Sequence, residues 1–550
     1  MLPYARMRSR RAAEAIVVLS LSIAAAVLQT YPLAFKIGHV ARTDMTDGRW
    51  SIWVVNWVAR TLVADPRHLF DANIFYPHTR ALAFSEMNLG AGLLGLPVYW
   101  LTRNPYTTHN AVLLMSFVLS AVGMYYLCRR LTGDRGAAAV GALAFAFTPY
   151  LFSHTAHIQL LLSAGLPFSM LALDRLLERP TFARAMQLAL ALVLQAIACG
   201  YYGVFAAMLV GFGVLFFATT RRLWTVRQFW VAVTTAAVVS LGSGLLLYLP
   251  YLQLNAATGF ARSLRDANMF SADWHSYLVS NAWLHRWMLS LVRPWKEVLF
   301  PGFVATGFGI AGAVVGMKRR AGIPRDVAIF YTLVAIIAFW LSFGPPAGLY
   351  TLLFNTVPMF SFMRAPSRFG VLVAFALAVL SAVAVSELVR SRPRGQWIAG
   401  GIALATLVEL AGIPLGWREA PRLPSPYLLL ATLPRGPVVE LPFFETRPDF
   451  PRHTFYMLWS TYHWQPLVNG YSDYIPADFR EIVVPVSHFP TIESFKLLQP
   501  IGARYVVFHM TFFDTATQQD IERRIQDFEG YLRPLAHDDE VWLYEIVGYP

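Results

Sequence analysis

The chain has 550 residues, 56% of them hydrophobic and only 14% charged, with a mean hydropathy of +0.47. Soluble domains carry about 25% charged residues, so this composition excludes an ordinary soluble enzyme and describes a polytopic membrane protein. The net charge of +13 comes mostly from arginine; in so apolar a chain it reads as the positive-inside bias of membrane loops plus attraction to anionic lipid, and no nucleic-acid partner is expected.

A basic start (Arg6, Arg8, Arg10, Arg11) precedes the apolar run Ala15–Leu33. The run exceeds a signal-peptide core and lacks a clear cleavage site, so it reads as a retained signal anchor with its amino end inside. The segment 36–88 is then outside. It places Asp44 and Asp47 just past the span and continues with an amphipathic run bearing Trp50, Trp53 and Trp57 on roughly one helical face, an interfacial helix beside two acids. Leu89–Leu101 is apolar but short for a crossing, which fits a re-entrant or interfacial helix. Spans follow at about Thr108–Leu127, Ala137–Phe152, Leu160–Leu177, Ala185–Ala198 and Val204–Thr219, with arginine-rich turns between them on the inner side. Another exits near Pro250. After the long outer loop Tyr251–Phe300, four more spans surround MKRRAGIPRD, FGPPAG and RSRPRGQ, the last emerging near Pro414. Counting windows of ~20 residues gives about eleven spans.

From about Gly416 the long apolar windows stop. Short β-like runs appear at 438–441, 504–509 and 541–546, with helical patterns at Ala477–Val486 and Thr517–Phe528 between them. A segment of ~130 residues suffices for a small domain, and strands alternating with helices predict a mixed sheet. The expected organisation is a transmembrane domain over 1–415 and a soluble α/β domain over 416–550. The two cysteines, Cys128 and Cys199, lie in apolar windows, so no disulfide framework is expected.

Three constellations carry chemistry. Asp44 and Asp47, spaced i, i+3, either share a helical face as a base or metal site, or Asp47 simply caps the helix that follows. His154, His157 and Gln159 in SHTAHIQ sit at the outer end of a short span, where two histidines three apart suit metal or phosphate; Glu86 is either a further acid or a helix-start charge. Arg364 and Arg368 in MRAPSRF form an outer pair suited to forked binding of a lipid phosphate, with Pro366 preventing a regular helix through them; lipid-headgroup snorkelling is the plainer reading. There is no phosphate-binding loop, dinucleotide fingerprint or nucleophile elbow, so no nucleotide cofactor is expected and an activated lipid carrier must supply the energy. Few acids or lysines lie mid-span, which argues against an ion-coupled transporter.

The phrases TDMTDGRWSIWVVNW, DPRHLFDANIFYPH, LAFSE, FSHTAHIQLL, CGYYG, LSFGPPAGLY, FMRAPSRF, VVELPF, PLVNGYSDY and RYVVFH together resemble the GT-C superfamily of membrane glycosyltransferases, near its protein O-mannosyltransferase-like and YfhO-like bacterial members. The resemblance implies a polytopic helical fold with a periplasmic carboxyl-terminal domain, in a bacterial inner membrane with a cytoplasmic amino end. It implies a polyprenyl-phosphate sugar donor and an acidic residue in the first outer loop acting as base or metal ligand. That role falls on Asp47, with Asp44 as partner, Arg364 and Arg368 as phosphate clamp, and His154, His157, Gln159, Glu86, Tyr201 and Tyr202 as substrate contacts. The Asp-Glu pair of protein mannosyltransferases is absent, since Met45 follows Asp44 and Gly48 follows Asp47. A glycolipid, polysaccharide or protein acceptor therefore stays open, as does a metal. The alternatives are a lipid-carrier flippase or export component, or an envelope-assembly scaffold, on the same fold.

Overall fold

The computed structural model describes residues 2–292, 294, 296–318, 323–412 and 415–550. The expected exit at Pro414, and residues 319–322 of the basic MKRRAGIPRD loop, lie outside them. Among the described residues, eight helices are long and apolar enough to cross a membrane, and three further apolar helices, Leu89–Thr102, Phe182–Ala198 and Phe303–Met317, are shorter. The chain divides into two compact units, one of residues 1–36, 110–249 and 261–416, the other of 37–109, 250–260 and 417–550.

The first unit is built around the helix Gly370–Arg390, 94% of whose apolar window is buried. Its neighbours approach closely because they present small residues: a Cβ added at Gly312 of the Phe303–Met317 helix would lie 1.9 Å from the Leu380 carbonyl oxygen. Small residues at such crossings let helices pack backbone to backbone where lipid offers no hydrophobic drive. The expected span 137–152 is interrupted: Arg135–Ala146 ends, and Pro149 opens a separate short helix, Pro149–Ser153. The CGYYG motif falls at the break between Phe182–Ala198 and Gly200–Thr220, where Cys199 is extended. In the loop before Phe303, the Glu409 carboxylate accepts the backbone N–H groups of Phe303 and Val304 (3.0 Å for Val304) and meets His285 Nε2 at 3.1 Å. A helix N-terminus is thus capped by the end of another helix.

The second unit joins the first loop to the carboxyl-terminal segment. Strand β1 (Val40–Ala41) pairs antiparallel with β2 (Arg418–Glu419). The main sheet holds β3 (Val438–Leu441), β4 (Tyr505–His509), β5 (Leu532–His537) and β6 (Val541–Ile546) in the order β3-β4-β6-β5, parallel between β3 and β4 and antiparallel elsewhere. The 73–76 stretch is bound by backbone to 467–469: Phe75 N–H donates to Asn469 O (3.1 Å), Tyr76 N–H to Leu467 O (2.8 Å), and Leu467 N–H to Asn73 O (2.9 Å).

The helix Thr46–Ala64 corrects the expectation of an interfacial face. Its tryptophans do share a side, but Trp50, Trp53 and Trp57 are buried in protein. Trp53 Nε1 donates to Asn73 Oδ1 (3.0 Å), Trp57 Nε1 to Leu69 O (2.9 Å), and Trp57 packs on Trp464 with centroids 5.7 Å apart. The Trp53 and Trp57 indole N–H groups each find a protein acceptor, the condition for burying tryptophan fully.

Candidate active site

The acids of the first loop lie in the second unit. The chain folds back between Arg42 and Gly48, where a Cβ on residue 48 would stand 1.9 Å from the Arg42 carbonyl oxygen, so the turn requires glycine. Helix Thr46–Ala64 begins with Met45 as N-cap and Asp47 in its first turn, where the helix dipole favours a carboxylate. Two expectations are corrected here. Asp47 is not the cap, and Asp44 precedes the helix and cannot share a helical face with it. Asp44 is instead held by Arg42, Nε to Oδ1 at 3.2 Å and Nη2 to Oδ2 at 3.5 Å. Below them lies Arg49, 5% exposed. Its Nη1 donates to Thr43 O (2.6 Å), its Nε to Thr454 Oγ1 (2.9 Å), and its guanidinium stacks 3.9 Å from the Phe455 ring centre. Desolvation pulls Arg49 down to about 10, while Asp44 and Asp47 push it back up. The buried guanidinium therefore sits in the field of both carboxylates and gives them a fixed positive neighbour. Glu86 stands partly buried just ahead of the Leu89–Thr102 helix, its backbone carbonyl accepting from Asn88 Nδ2 (3.0 Å).

The remaining candidates lie in the first unit, and most of them converge. Pro366 starts a 3-10 turn, Pro366–Phe369, that runs directly into the buried Gly370–Arg390 helix. No regular helix passes through the two arginines. Arg364 donates its backbone N–H to Tyr201 Oη (2.7 Å), and the Arg368 guanidinium lies 4.1 Å from the centre of the same ring. The Arg364 guanidinium lies 5.3 Å from the Phe270 ring. One tyrosine thus touches both ends of the loop, and both arginines keep part of their surface exposed. Next to it, buried Tyr202 places its Oη 3.1 Å from Leu160 O and 3.2 Å from Tyr150 Oη. Its role is packing support, and the substrate contact expected of Tyr202 is corrected on that ground.

His154 ends the Pro149–Ser153 helix, with Nδ1 2.7 Å from Tyr150 O. His157 lies beyond that helix, so the two imidazoles share a turn and not a helical face; their rings still meet edge to face at 5.8 Å. Desolvation lowers the His154 pKa well below its ordinary value, with His157 and Arg368 adding to the effect, so it stands neutral. Gln159 is buried, and its side-chain oxygen has no hydrogen-bond partner among the described residues; it is a poor candidate for direct contact.

Two residues went unnoticed in the sequence. Glu297, just ahead of the Phe303–Met317 helix, accepts a hydrogen bond from Ser367 Oγ (3.3 Å) and lies in the fields of Arg368 and His157. Burial raises its pKa, and those groups oppose the rise. Nothing in its local sequence marks it, because its partner is 70 residues away. Arg49 was legible only as one more outer-loop arginine. The described residues do not form a metal-binding set: no three His, Cys, Asp or Glu gather as ligands among them.

No protein-family model matches the chain, and no curated protein sequence matches it. Solved structures do. The archaeal oligosaccharyltransferase AglB from Archaeoglobus fulgidus, in complex with an inhibitory peptide and a dolichol-phosphate, is similar at a TM-score of 0.53 and 12% identity, over 94% of this chain and 72% of AglB. The arabinofuranosyltransferase AftD from Mycobacteria is similar at 0.60 and 16% identity, over 97% of this chain but 40% of AftD. ArnT from Cupriavidus metallidurans, bound to undecaprenyl phosphate, is similar at 0.51 and 14% identity, over 97% of both chains. The chain shares the fold of these three structures. With its long apolar helices it is a multi-pass membrane protein. At these identities the likeness extends to the fold alone, and residue roles rest on the geometry above.

Proposed function

We propose that the chain is a membrane glycosyltransferase that takes sugar from a polyprenyl-phosphate carrier at the periplasmic face of a bacterial inner membrane. The acceptor is a glycolipid, a polysaccharide or a protein. The observation that carries this reading is the Arg364–Arg368 loop, which Tyr201 holds through the Arg364 backbone N–H and the Arg368 guanidinium, at the head of the buried Gly370–Arg390 helix. It occurs in a fold shared with structures solved with dolichol-phosphate and undecaprenyl phosphate. Two guanidiniums on a rigid base suit a phosphate that must be held while its bond to the sugar breaks.

In this reading the acceptor hydroxyl oxygen attacks the anomeric carbon. The bond from that carbon to the phosphate oxygen breaks, and the polyprenyl phosphate leaves with the electron pair to Arg364 and Arg368. Asp47 takes the hydroxyl proton, and Asp44, tied to Arg42, orients the acceptor. Configuration inverts because the displacement is single. His154, neutral, and His157 contribute hydrogen bonds to the donor, and Glu86 to the acceptor. The test is transfer from radiolabelled polyprenyl-phosphate sugars by purified protein. Loss of a positioned general base costs about 10²–10⁴-fold in rate, so Asp47→Asn should abolish turnover while donor binding persists. Turnover that survives the substitution removes Asp47 from the mechanism.

A further inference from the structure

Within the first unit Glu297 is hydrogen-bonded into the arginine loop through Ser367, while a second carboxylate, Asp266, lies in the field of Arg364. The Glu297 segment is pinned by backbone: Leu299 N–H donates to Ser276 O (2.8 Å), Phe300 N–H to Val279 O (3.2 Å), and Glu297 N–H to Ser276 Oγ (3.3 Å). Ser276 is itself held by Asp273 Oδ1, at 2.8 Å from its N and 2.7 Å from its Oγ. The following residues, Val298, Leu299 and Phe300, are buried. The carboxylate is therefore delivered to Ser367, next in sequence to Arg368, by a stretch of chain with little freedom to move away.

We propose that Glu297 is a positioning residue for the donor site, the standing counter-charge of Arg368, and that it takes up a proton when the donor phosphate binds. The proposal rests on the reading that Arg364 and Arg368 hold that phosphate. Before binding, the carboxylate and the guanidinium balance each other across Ser367. An arriving phosphate brings a second negative charge to the same guanidinium, and two anions sharing one cation in a partly desolvated place favour protonation of the weaker acid. The proton comes from solvent and goes to a carboxyl oxygen of Glu297; no bond in the donor changes.

The groups facing Glu297 are Ser367 and Arg368 from the arginine loop, His157 from the 154–157 turn, Tyr150 from the Pro149–Ser153 helix, and Asp273 through Ser276, with His275 beside it. Burial already raises Glu297, which places it nearer to neutral pH than an exposed carboxylate. Because the bound state holds more protons than the free state, affinity must rise as pH falls, by at most about tenfold per pH unit for one proton.

The probe is farnesyl methyl phosphate, a phosphodiester whose own charge does not change over the range tested. Its binding to the full chain in nanodiscs is measured by calorimetry from pH 5 to 8, in paired buffers of different ionisation enthalpy. The wild type should take up a fraction of a proton approaching one and bind several-fold more tightly at pH 5.5 than at pH 7.5. Glu297→Gln should bind at pH 7.5 as tightly as the wild type does at pH 5.5, with a flat profile. Glu297→Asp should restore the slope, and His157→Gln should keep it. Wild-type binding without proton uptake overturns the inference and requires no variant to fold. Binding that needs Arg368 but has the same pH profile in Glu297→Gln overturns this inference alone. Binding indifferent to Arg368→Ala overturns the phosphate reading and this inference with it.

Discussion

Glu440 and His509 of the second unit are 0% and 2% exposed, and Glu440 Oε2 lies 2.8 Å from both His509 Nε2 and Tyr427 Oη. His509 stacks against aromatic rings, Trp459 at 4.9 Å and Phe512 at 5.4 Å. In the first unit a carboxylate and histidines again stand near tyrosines, but the cations are arginines that keep part of their surface exposed and Glu297 is only partly enclosed. The residue types are nearly the same. What differs is enclosure: Glu440, His509 and Tyr427 are bonded to one another out of reach of solvent, with Glu440 Oε1 left without a partner among the described residues, while the arginine loop is anchored through a backbone N–H and a ring face and keeps both arginines partly exposed. Sealed polar clusters specify packing, and partly open ones with a rigid base specify binding.

The contrast is broken most sharply by truncating the sealed cluster. Glu440→Ala leaves His509 and Tyr427 buried without their shared acceptor, and removing one partner of a buried pair costs about 3–5 kcal/mol. Thermal unfolding of the purified protein should show the loss in the second unit. Farnesyl methyl phosphate binding by the protein that remains folded should be unchanged. A mild effect on stability with lost binding would assign the sealed cluster to the ligand site.

The reverse experiment is Arg368→Ala. Charge-assisted hydrogen bonds contribute about 1.5–3 kcal/mol, so donor affinity should fall roughly 10–100-fold with little change in thermal stability. Arg368→Lys should fall nearly as far, because lysine supplies neither the fork nor the flat face that rests on Tyr201. Equal affinities for arginine and lysine would mean that the loop offers only charge, as a headgroup-snorkelling residue does.

The two clusters were unequally legible in the sequence, for physical reasons. The β-branched and aromatic runs at 438–441, 504–509 and 541–546 became β3, β4 and β6 almost residue for residue, since a buried strand advertises itself by composition. Strand β5 was not visible: Leu532–His537 contains Pro534 and Arg533, and it survives as an edge strand with a register shift between Pro534 and Ala536, where a missing N–H is tolerated. The arginines stood out because Pro366 and the outer-loop position mark them locally. Glu297 did not, being tied to them only through the fold. The acids of the first loop were located, but their joint helical face was not real, because the helix starts at Thr46 and the Arg42–Gly48 turn sets Asp44 apart. Spacing predicts a shared face only where the helix is known to run through both positions.

The smallest expected effect concerns acid. His453 and His463 of the second unit are 0% and 8% exposed, and desolvation pushes both down to about 3. A histidine whose pKa is depressed in the folded state favours unfolding as soon as the unfolded chain begins to protonate, below about pH 6.5. Stability should therefore be at its full value above pH 7 and fall as pH drops toward 5, by on the order of 1–2 kcal/mol for each histidine. His453 Nδ1 is within 3.2 Å of Asn469 Nδ2, which also donates to Glu440 O (2.9 Å), so the acid sensitivity reaches the sealed cluster directly. His463→Phe, which keeps the ring stacked on Tyr427 and removes the titrating group, should reduce the slope of melting temperature against pH by about half between pH 5 and 6.5. Donor binding by Arg364 and Arg368 should keep its own pH profile in that variant. A slope unchanged by His463→Phe would place the acid sensitivity in the partly open cluster instead, and the distinction between the two would have to be redrawn around Glu297.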